Sequence, residues 1–160
     1  MQKYGGNYIL QWDNKPLLLG IYGSKEHITH IFFNPSSQTL SCKTPLSDEC
    51  ASEIQAYLNG NLKYFSIPLL PQGSAFKLRV WEALCNIPYG EVRSYKDIAD
   101  SIASPKASRA VGNANHNNPL MILIPCHRVV RSNGALGGYA LGVDIKARLL
   151  HLEQKYKNRI

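Results

Sequence analysis

Three short apolar runs open the chain. YILQW at 8–12, PLLLGIYG at 16–23 and HITHIFF at 27–33 are rich in aromatic and branched residues, with Asn, Gly, Ser or Lys between them. The pattern predicts three strands joined by tight turns, forming a small antiparallel sheet. TPLSDECASEIQAYLNG, 44–60, follows with Thr44 as a cap, Pro45 at the first helical position, acids in the first turn and Gly60 after the last apolar residue. These signals predict a helix that covers the sheet. FSIPLLPQGS, 65–74, reads as an extended linker, because neither a helix nor a central strand tolerates its prolines.

Beyond the linker the pattern turns helical. AFKLRVWEALCNI, 75–87, has apolar residues at helical spacing and must end before Pro88 and Gly90. SYKDIADSI, 94–102, opens on Ser94 with Asp97 three residues later, close to a capping box. A turn at 103–105 leads into KASRAVGNANHN, where Lys106, Arg109, Asn113 and His116 make one polar stripe and Ala107, Ala110, Val111 and Ala114 a small-residue stripe. Two short helices joined this way fit a helix-turn-helix, although ordinary packing produces the same pattern. NPLMILIP, 118–125, reads as a buried strand fed by a turn at 117–119 and stopped by Pro125. DIKARLLHLEQKY, 144–156, predicts a last helix with Asp144 as cap, an apolar side through Ile145, Leu149, Leu152 and Tyr156, and Glu153 at its edge. The fold class expected is α+β, with one domain over 1–70 and a second over 71–160.

Composition narrows the setting. At 160 residues and 44% hydrophobic, the chain can bury a real core. MQKYGGNYIL has no basic region followed by a long apolar stretch, and no run approaches the roughly 18 apolar residues of a membrane span. A soluble, cytoplasmic protein is expected, with no membrane partner. Cys42, Cys50, Cys85 and Cys126 fall in no tight repeating frame, so no disulfides are expected.

Charge is distributed unevenly. The net +7 lies wholly in residues 71–160, where thirteen Lys and Arg face six acids; residues 1–70 carry five of each sign. A solvated face accounts for such an excess, and so does a phosphate-backbone partner. The small side chains of the second helix of the pair would let backbone come close to nucleic acid, which favours nonspecific or minor-groove contact over sequence reading.

The chemistry centres on IPCHRVV, 124–130, where a thiol directly precedes a histidine. Cys126 can be a packed hydrophobe, a metal ligand or a nucleophile. In a continuing strand Cys126 and His127 would face opposite ways, so cooperation requires a bend, which Pro125 supplies. His127, Arg128 and Arg131 would favour the thiolate. A zinc site from His27, His30, Cys42 and Cys50 is not expected, since HITH lies in a strand and the cysteines are widely spaced. Glu153 reads either as a surface acid or as a carboxylate reaching inward to orient His127.

These residues resemble the O6-alkylguanine-DNA alkyltransferases, also called methylated-DNA-protein-cysteine methyltransferases. The resemblance spans 75–160 and rests on SY at 94–95, SRAVGNA at 108–114, NNP at 117–119, ILIPCHRVV at 122–130, GGYALG at 137–142 and KARLLHLE at 146–153. It implies a ribonuclease-H-like first domain, a winged-helix-like second domain, and single-use DNA repair without metal or organic cofactor. Cys126 would take the alkyl group from guanine O6, with His127 acting through a water and Glu153 behind it. O4-alkylthymine is a second substrate left open. The base must leave the stack to be reached. Arg109 would fill the gap it leaves and Tyr95 would press on its phosphate, while Ala107, Ala110 and Gly112 would lie in the minor groove. Lys96, Ser104 and Ser132 would touch the DNA backbone. Asn118 would shape the turn behind the site, and the carbonyls of Cys126 and Val129 would accept from the guanine amino group. The Tyr139 hydroxyl and the Ala140 amide would donate to guanine N3 and O6. The implied partner is double-stranded DNA carrying alkylated guanine, bound by a monomer.

The sequence departs from the family at Leu141-Gly142, where many members have Gly-Gly; the bulkier Leu141 would alter the pocket wall. Two other classes stand beside the alkyl-acceptor enzyme. One is a module that binds lesions without removing them, as relatives lacking the cysteine of PCHR do. The other is a cysteine hydrolase using Cys126 and His127 on a thioester or amide, which leaves the basic helix pair without a purpose.

Overall fold

The computed structural model describes residues 3–36 and 41–159. The chain folds as two compact units, Met1–Gln72 and Gly73–Ile160. The architecture is α+β, and no helix among the described residues is long and apolar enough to cross a membrane.

In the first unit, β1 (Tyr4–Trp12), β2 (Lys15–Gly23) and β3 (Ile28–Phe33) form an antiparallel sheet in sequence order. Trp12 pairs with Lys15, so the connection has two residues, Asp13 and Asn14, both at positive φ (51° and 61°). That is the geometry whose twist matches the strands, and Asp and Asn tolerate it. Helix α1 (Pro45–Leu58) is capped reciprocally by Thr44 and Ser47 and buries Cys50, Ile54 and Tyr57. Tyr8 Oη, on β1, lies 2.6 Å from Ser47 Oγ and donates to Asp48 Oδ1 at 2.7 Å.

The stretch expected to be a free linker is partly docked. Ile28 donates to the Pro68 carbonyl and Leu70 donates to the Ile28 carbonyl, each at 2.9 Å. Pro68 contributes only its carbonyl there, so its missing N–H costs the pairing nothing. Ile67 is buried, and Phe65 packs against Tyr57 with ring centroids 5.3 Å apart.

In the second unit, α2 (Ala75–Cys85) is capped by Ser74 and buries Trp81, whose indole N–H donates to the Ala114 carbonyl at 2.9 Å. Ser94 and Asp97 form the expected capping box at the head of α3 (Tyr95–Ser101). Ser94 also belongs to β4 (Arg93–Ser94), which pairs in parallel with β5 (Val129–Val130). One residue therefore fixes the start of α3 beside the chain that follows IPCHR. After a turn with Ala103 at φ 56°, α4 runs Ser108–His116. Lys106 precedes this helix and Ala107 is its cap, so the expected polar stripe starts outside it. Val111 and Ala114 are core while Ala110 is exposed, which splits the small-residue stripe between two faces.

Two further expectations fail in this unit. NPLMILIP is buried throughout the apolar residues Leu120–Ile124 but is not a strand; it curls into a compact turn in which Ile124 donates to the Leu120 carbonyl at 2.8 Å and Ile122 adopts φ 74°. A short apolar run carries no period that separates a strand from any other buried conformation. Helix α5 spans Val143–Tyr156 with Gly142, at φ 98°, in the cap position; Asp144 lies inside the first turn instead of capping it.

The Ser94 cap yields a direct test. Ser94→Ala removes the acceptor for the Asp97 amide and is expected to lower stability by about 1 kcal/mol, read as a lower midpoint in urea denaturation with unchanged slope.

Candidate active site

Pro125, at φ −81° and ψ 61°, makes a tight turn in which the Cys126 amide donates to the Ile124 carbonyl at 2.8 Å. The chain then enters a single 3-10 turn over Cys126–Arg128. This is the bend the sequence requires, and the two side chains leave it into different surroundings. His127 goes to the interior, fully buried. Cys126, 3% exposed, forms part of the lining of a cavity of about 410 Å³.

Glu153 organises the interior side. Its carboxylate has no solvent exposure and accepts from His127 Nε2 at 2.8 Å, from Arg128 Nε and Nη2 at 2.8–3.1 Å, and from the Gly90 amide at 3.0 Å. Arg128 Nη1 donates to the Ile87 carbonyl at 2.7 Å. Burial pushes the Glu153 carboxyl up, but the hydrogen bonds and charges of His127 and Arg128 outweigh it and hold it down to about 2. Burial lowers His127 despite the pull of Glu153, so the ring is neutral. With Nε2–H donated to a carboxylate, Nδ1 carries the lone pair.

The sulfur is a thiol at rest. Burial raises Cys126 to about 11, opposed by an Asn118 hydrogen bond and by the Lys146 charge. That leaves on the order of one molecule in ten thousand as thiolate at neutral pH. The cations expected to favour the anion do not do so: His127 is neutral, Arg128 is engaged with Glu153, and Arg131 sits along the cavity wall near Tyr95. Asn118 donates from Nδ2 to Sγ at 3.2 Å and to the Ile124 carbonyl at 2.8 Å, while its Oδ1 accepts from the Leu120 amide at 2.9 Å. One side chain therefore curls the segment and touches the sulfur.

Other expected residues divide between cavity and surface. Tyr95, Arg109, Gly112, Tyr139 and Ala140 line the cavity with Cys126, whereas Leu141 is not among its lining residues. Gly137, at φ 73°, is required by this arrangement: a Cβ there would stand 2.8 Å from Tyr95 Oη. The Tyr139 hydroxyl is buried without a hydrogen-bond partner among the described residues, and burial raises its pKa far above the ordinary phenol value. Val129 is buried and is not among the cavity's lining residues, and its amide donates to the Cys126 carbonyl. Lys96, Ala110 and Ser132 are exposed, with Ser104 and Ala107 half-buried; Lys96 pairs with Asp100 at 3.1 Å.

Two residues at the site are not singled out by the sequence. Lys146 is fully buried, and Nζ donates to the carbonyls of Leu136 (2.5 Å) and Gly138 (3.2 Å), which belong to the segment that forms one cavity wall. Burial lowers it to about 8, with the Cys126 sulfur pulling the other way. The signal that could reveal it is spacing: Lys146, Leu149 and Glu153 lie at i, i+3 and i+7, on one buried face of α5. The second is Asn115, which lines the cavity.

Comparison with known proteins gives a consistent set. Residues 75–155 match the family 6-O-methylguanine DNA methyltransferase, DNA binding domain. A methylated-DNA–protein-cysteine methyltransferase of Methanosarcina barkeri is 45% identical over 145 residues, which cover 87% of this chain and 90% of that protein. A constitutive one from Bacillus subtilis is 50% identical over 119 residues, covering 73% and 72%. Among solved structures, Mycobacterium tuberculosis OGT in complex with DNA has a TM-score of 0.80 at 39% identity, with 92% of each chain covered.

The Glu153 cluster predicts a strong dependence on that carboxylate. Glu153→Gln leaves Arg128 buried without its counter-charge and is expected to cost about 3–5 kcal/mol. Because the folded-state pKa lies below the ordinary value of 4.5, the carboxylate's contribution is complete above 4.5 and is lost as pH falls toward 2. Urea titrations across that window should show a falling acid limb in the native protein and a flatter one in the variant.

Proposed function

The chain belongs to the 6-O-methylguanine DNA methyltransferase family, and from that membership we propose that it repairs DNA directly, moving the alkyl group of O6-alkylguanine irreversibly onto Cys126. The observation that carries this reading is the sulfur itself: a recessed thiol in the lining of an open cavity, backed by a neutral histidine whose ring is oriented by a buried carboxylate.

The recess bears on how the substrate arrives. In a duplex, guanine O6 faces the major groove inside the stack, and a sulfur 3% exposed cannot approach it there. The base is swung out into the cavity, at a cost of a few kcal/mol that is least for a damaged base. Arg109, exposed at the cavity rim on α4, fills the gap; Tyr95 meets the phosphate; Ala107, Ala110 and Gly112 let α4 lie close in the minor groove. Lys96, Ser104 and Ser132 contact the backbone. The buried Tyr139 hydroxyl, which has no hydrogen-bond partner among the described residues, donates to guanine N3, and the Ala140 amide donates to O6. The carbonyls of Cys126 and Val129 accept from the amino group.

In the reaction the Cys126 proton passes through a water to the His127 lone pair, so the thiolate forms only when the base is in position. Sγ attacks the alkyl carbon in line, the S–C bond forms, and the C–O6 bond breaks with its electron pair left on the purine. The purine takes a proton at N1 from solvent and is guanine again, and His127 releases to solvent the proton it took from Cys126. Lys146 stabilises the thiolate electrostatically and, through its two carbonyl partners, holds the wall that carries Tyr139 and Ala140. The thioether has no route to hydrolysis, so each molecule reacts once, as a monomer. The same geometry accepts O4-alkylthymine if the smaller base reaches the sulfur.

On this reading residues 71–160 form the winged-helix-like DNA-binding and alkyl-acceptor domain, supported by the α3–α4 pair and the short β4–β5 ribbon, and residues 1–70 form a ribonuclease-H-like domain. The basic excess of residues 71–160 fits a phosphate-backbone partner.

Incubation with duplex containing O6-methylguanine, followed by mass analysis of peptides, tests the proposal. One methyl per protein molecule is expected, on the peptide holding Cys126, with no further turnover; Cys126→Ser should gain none. Binding without any mass change would sink it.

A further inference from the structure

Asn115 is 9% exposed on α4 and lines the cavity that contains Cys126. Neither Nδ2 nor Oδ1 has a hydrogen-bond partner among the described residues. Buried amides are nearly always satisfied, because leaving one unmade costs more than making it returns. Among the described residues the Asn115 side chain caps no helix and bridges no loop. A donor and an acceptor held side by side in a cavity wall fit a ligand group that can use both, such as a hydroxyl.

Location decides which part of the substrate that group is. The Asn115 carbonyl accepts from the Asn118 amide at 3.2 Å, and the Asn118 side chain donates to Sγ at 3.2 Å. Asn115 thus shares the cavity wall with Cys126 and is joined through its backbone to the residue that touches the sulfur. In-line attack brings the carbon bonded to O6 against Sγ, and anything extending beyond that carbon lies in the same region. The Tyr139–Ala140 segment serves the ring of the base.

We propose that Asn115 is a specificity-determining residue for the O6 substituent, favouring groups that carry a hydrogen-bonding atom on the second carbon, such as 2-hydroxyethyl, over aliphatic groups of the same size. This rests on the alkyl-transfer reading above. The bonds made and broken are unchanged: S–C forms, C–O6 breaks, and the hydroxyl is a bystander held by the amide.

The experiment compares second-order rates of transfer to Cys126 from duplexes holding O6-(2-hydroxyethyl)guanine and O6-propylguanine, which have equal numbers of heavy atoms in the substituent. Intrinsic reactivity cancels in the ratio between proteins. Asn115→Leu is expected to lower the hydroxyethyl-to-propyl ratio about fivefold, the factor supplied by one neutral hydrogen bond, without lowering the thermal midpoint. Asn115→Ala, which cannot overpack the wall, should lower the ratio in the same direction. A ratio unmoved in both variants overturns the inference, including the case where both rates fall equally, which would assign Asn115 to the base or to the fold. O6-methylguanine with the native protein separates the two readings: if no methyl is transferred, the alkyl-transfer reading itself has failed, whereas intact methyl transfer with an unmoved ratio removes only the role of Asn115.

Discussion

A carboxylate without solvent exposure survives as an anion only where cations and donors surround it, and Glu153 meets that condition from three directions. Arg128 supplies the neutralising charge, His127 a ring N–H and Gly90 a backbone amide. These partners come from the 3-10 turn and from the loop after α2, while Glu153 sits on α5, so a single charge cluster joins three segments distant in sequence. Its net charge with Arg128 is zero, which weakens its pull on His127, and burial then keeps the ring neutral. The neutral ring and its tautomer both follow from that balance, and they are the two properties a proton acceptor beside a thiol requires.

The same burial that orders the cluster works against the sulfur. Desolvation holds Cys126 in the thiol form, and the opposing contributions of Asn118 and Lys146 are too small to reverse it. For the single-use nucleophile that the proposed function makes of Cys126 this is consistent: an exposed thiolate would be open to oxidation and stray alkylation, whereas a recessed thiol would become reactive only when a substrate enters the cavity and a base takes the proton. Lys146 sits on both sides of the problem, as the cation nearest in effect to the sulfur and as the anchor of the Leu136–Gly138 backbone.

What the sequence disclosed followed from how local each signal is. The capping boxes and the hairpin turn depend on a few adjacent residues, so Thr44, Ser94 and Asp97 are legible directly. IPCHRVV requires a bend at Pro125, and a bend is there. The strand expected at NPLMILIP fails because the segment is shaped by the Asn118 side chain bonding both to Leu120 and to Ile124, a contact that hydrophobic periodicity does not encode. Asp144 has the right chemistry for a cap, yet Gly142 supplies the backbone conformation that starts α5. Adjacency in sequence makes Arg128 a natural partner of the sulfur, while its guanidinium reaches a carboxylate twenty-five residues away. Lys146 and Asn115 become visible only once burial is known, since in sequence one is an ordinary helical lysine and the other one of several asparagines.

Unfavourable local features gather around the sulfur. Ile122 is a branched residue at positive φ, a conformation that costs on the order of 1–3 kcal/mol. Among the described residues Tyr139 Oη and both amide atoms of Asn115 are buried without hydrogen-bond partners, and Lys146 is a buried cation that donates to two carbonyls. Each is tolerated because the Glu153 cluster and the packed core of Val80, Trp81 and Leu149 fix the surrounding segments firmly enough to hold them. On the proposed function Tyr139 Oη and the Asn115 amide would meet the entering purine and its substituent, while the Glu153 carboxylate, reached through the same turn, takes several hydrogen bonds within the protein. That contrast is what separates a wall built to meet a ligand from an interior built to support it.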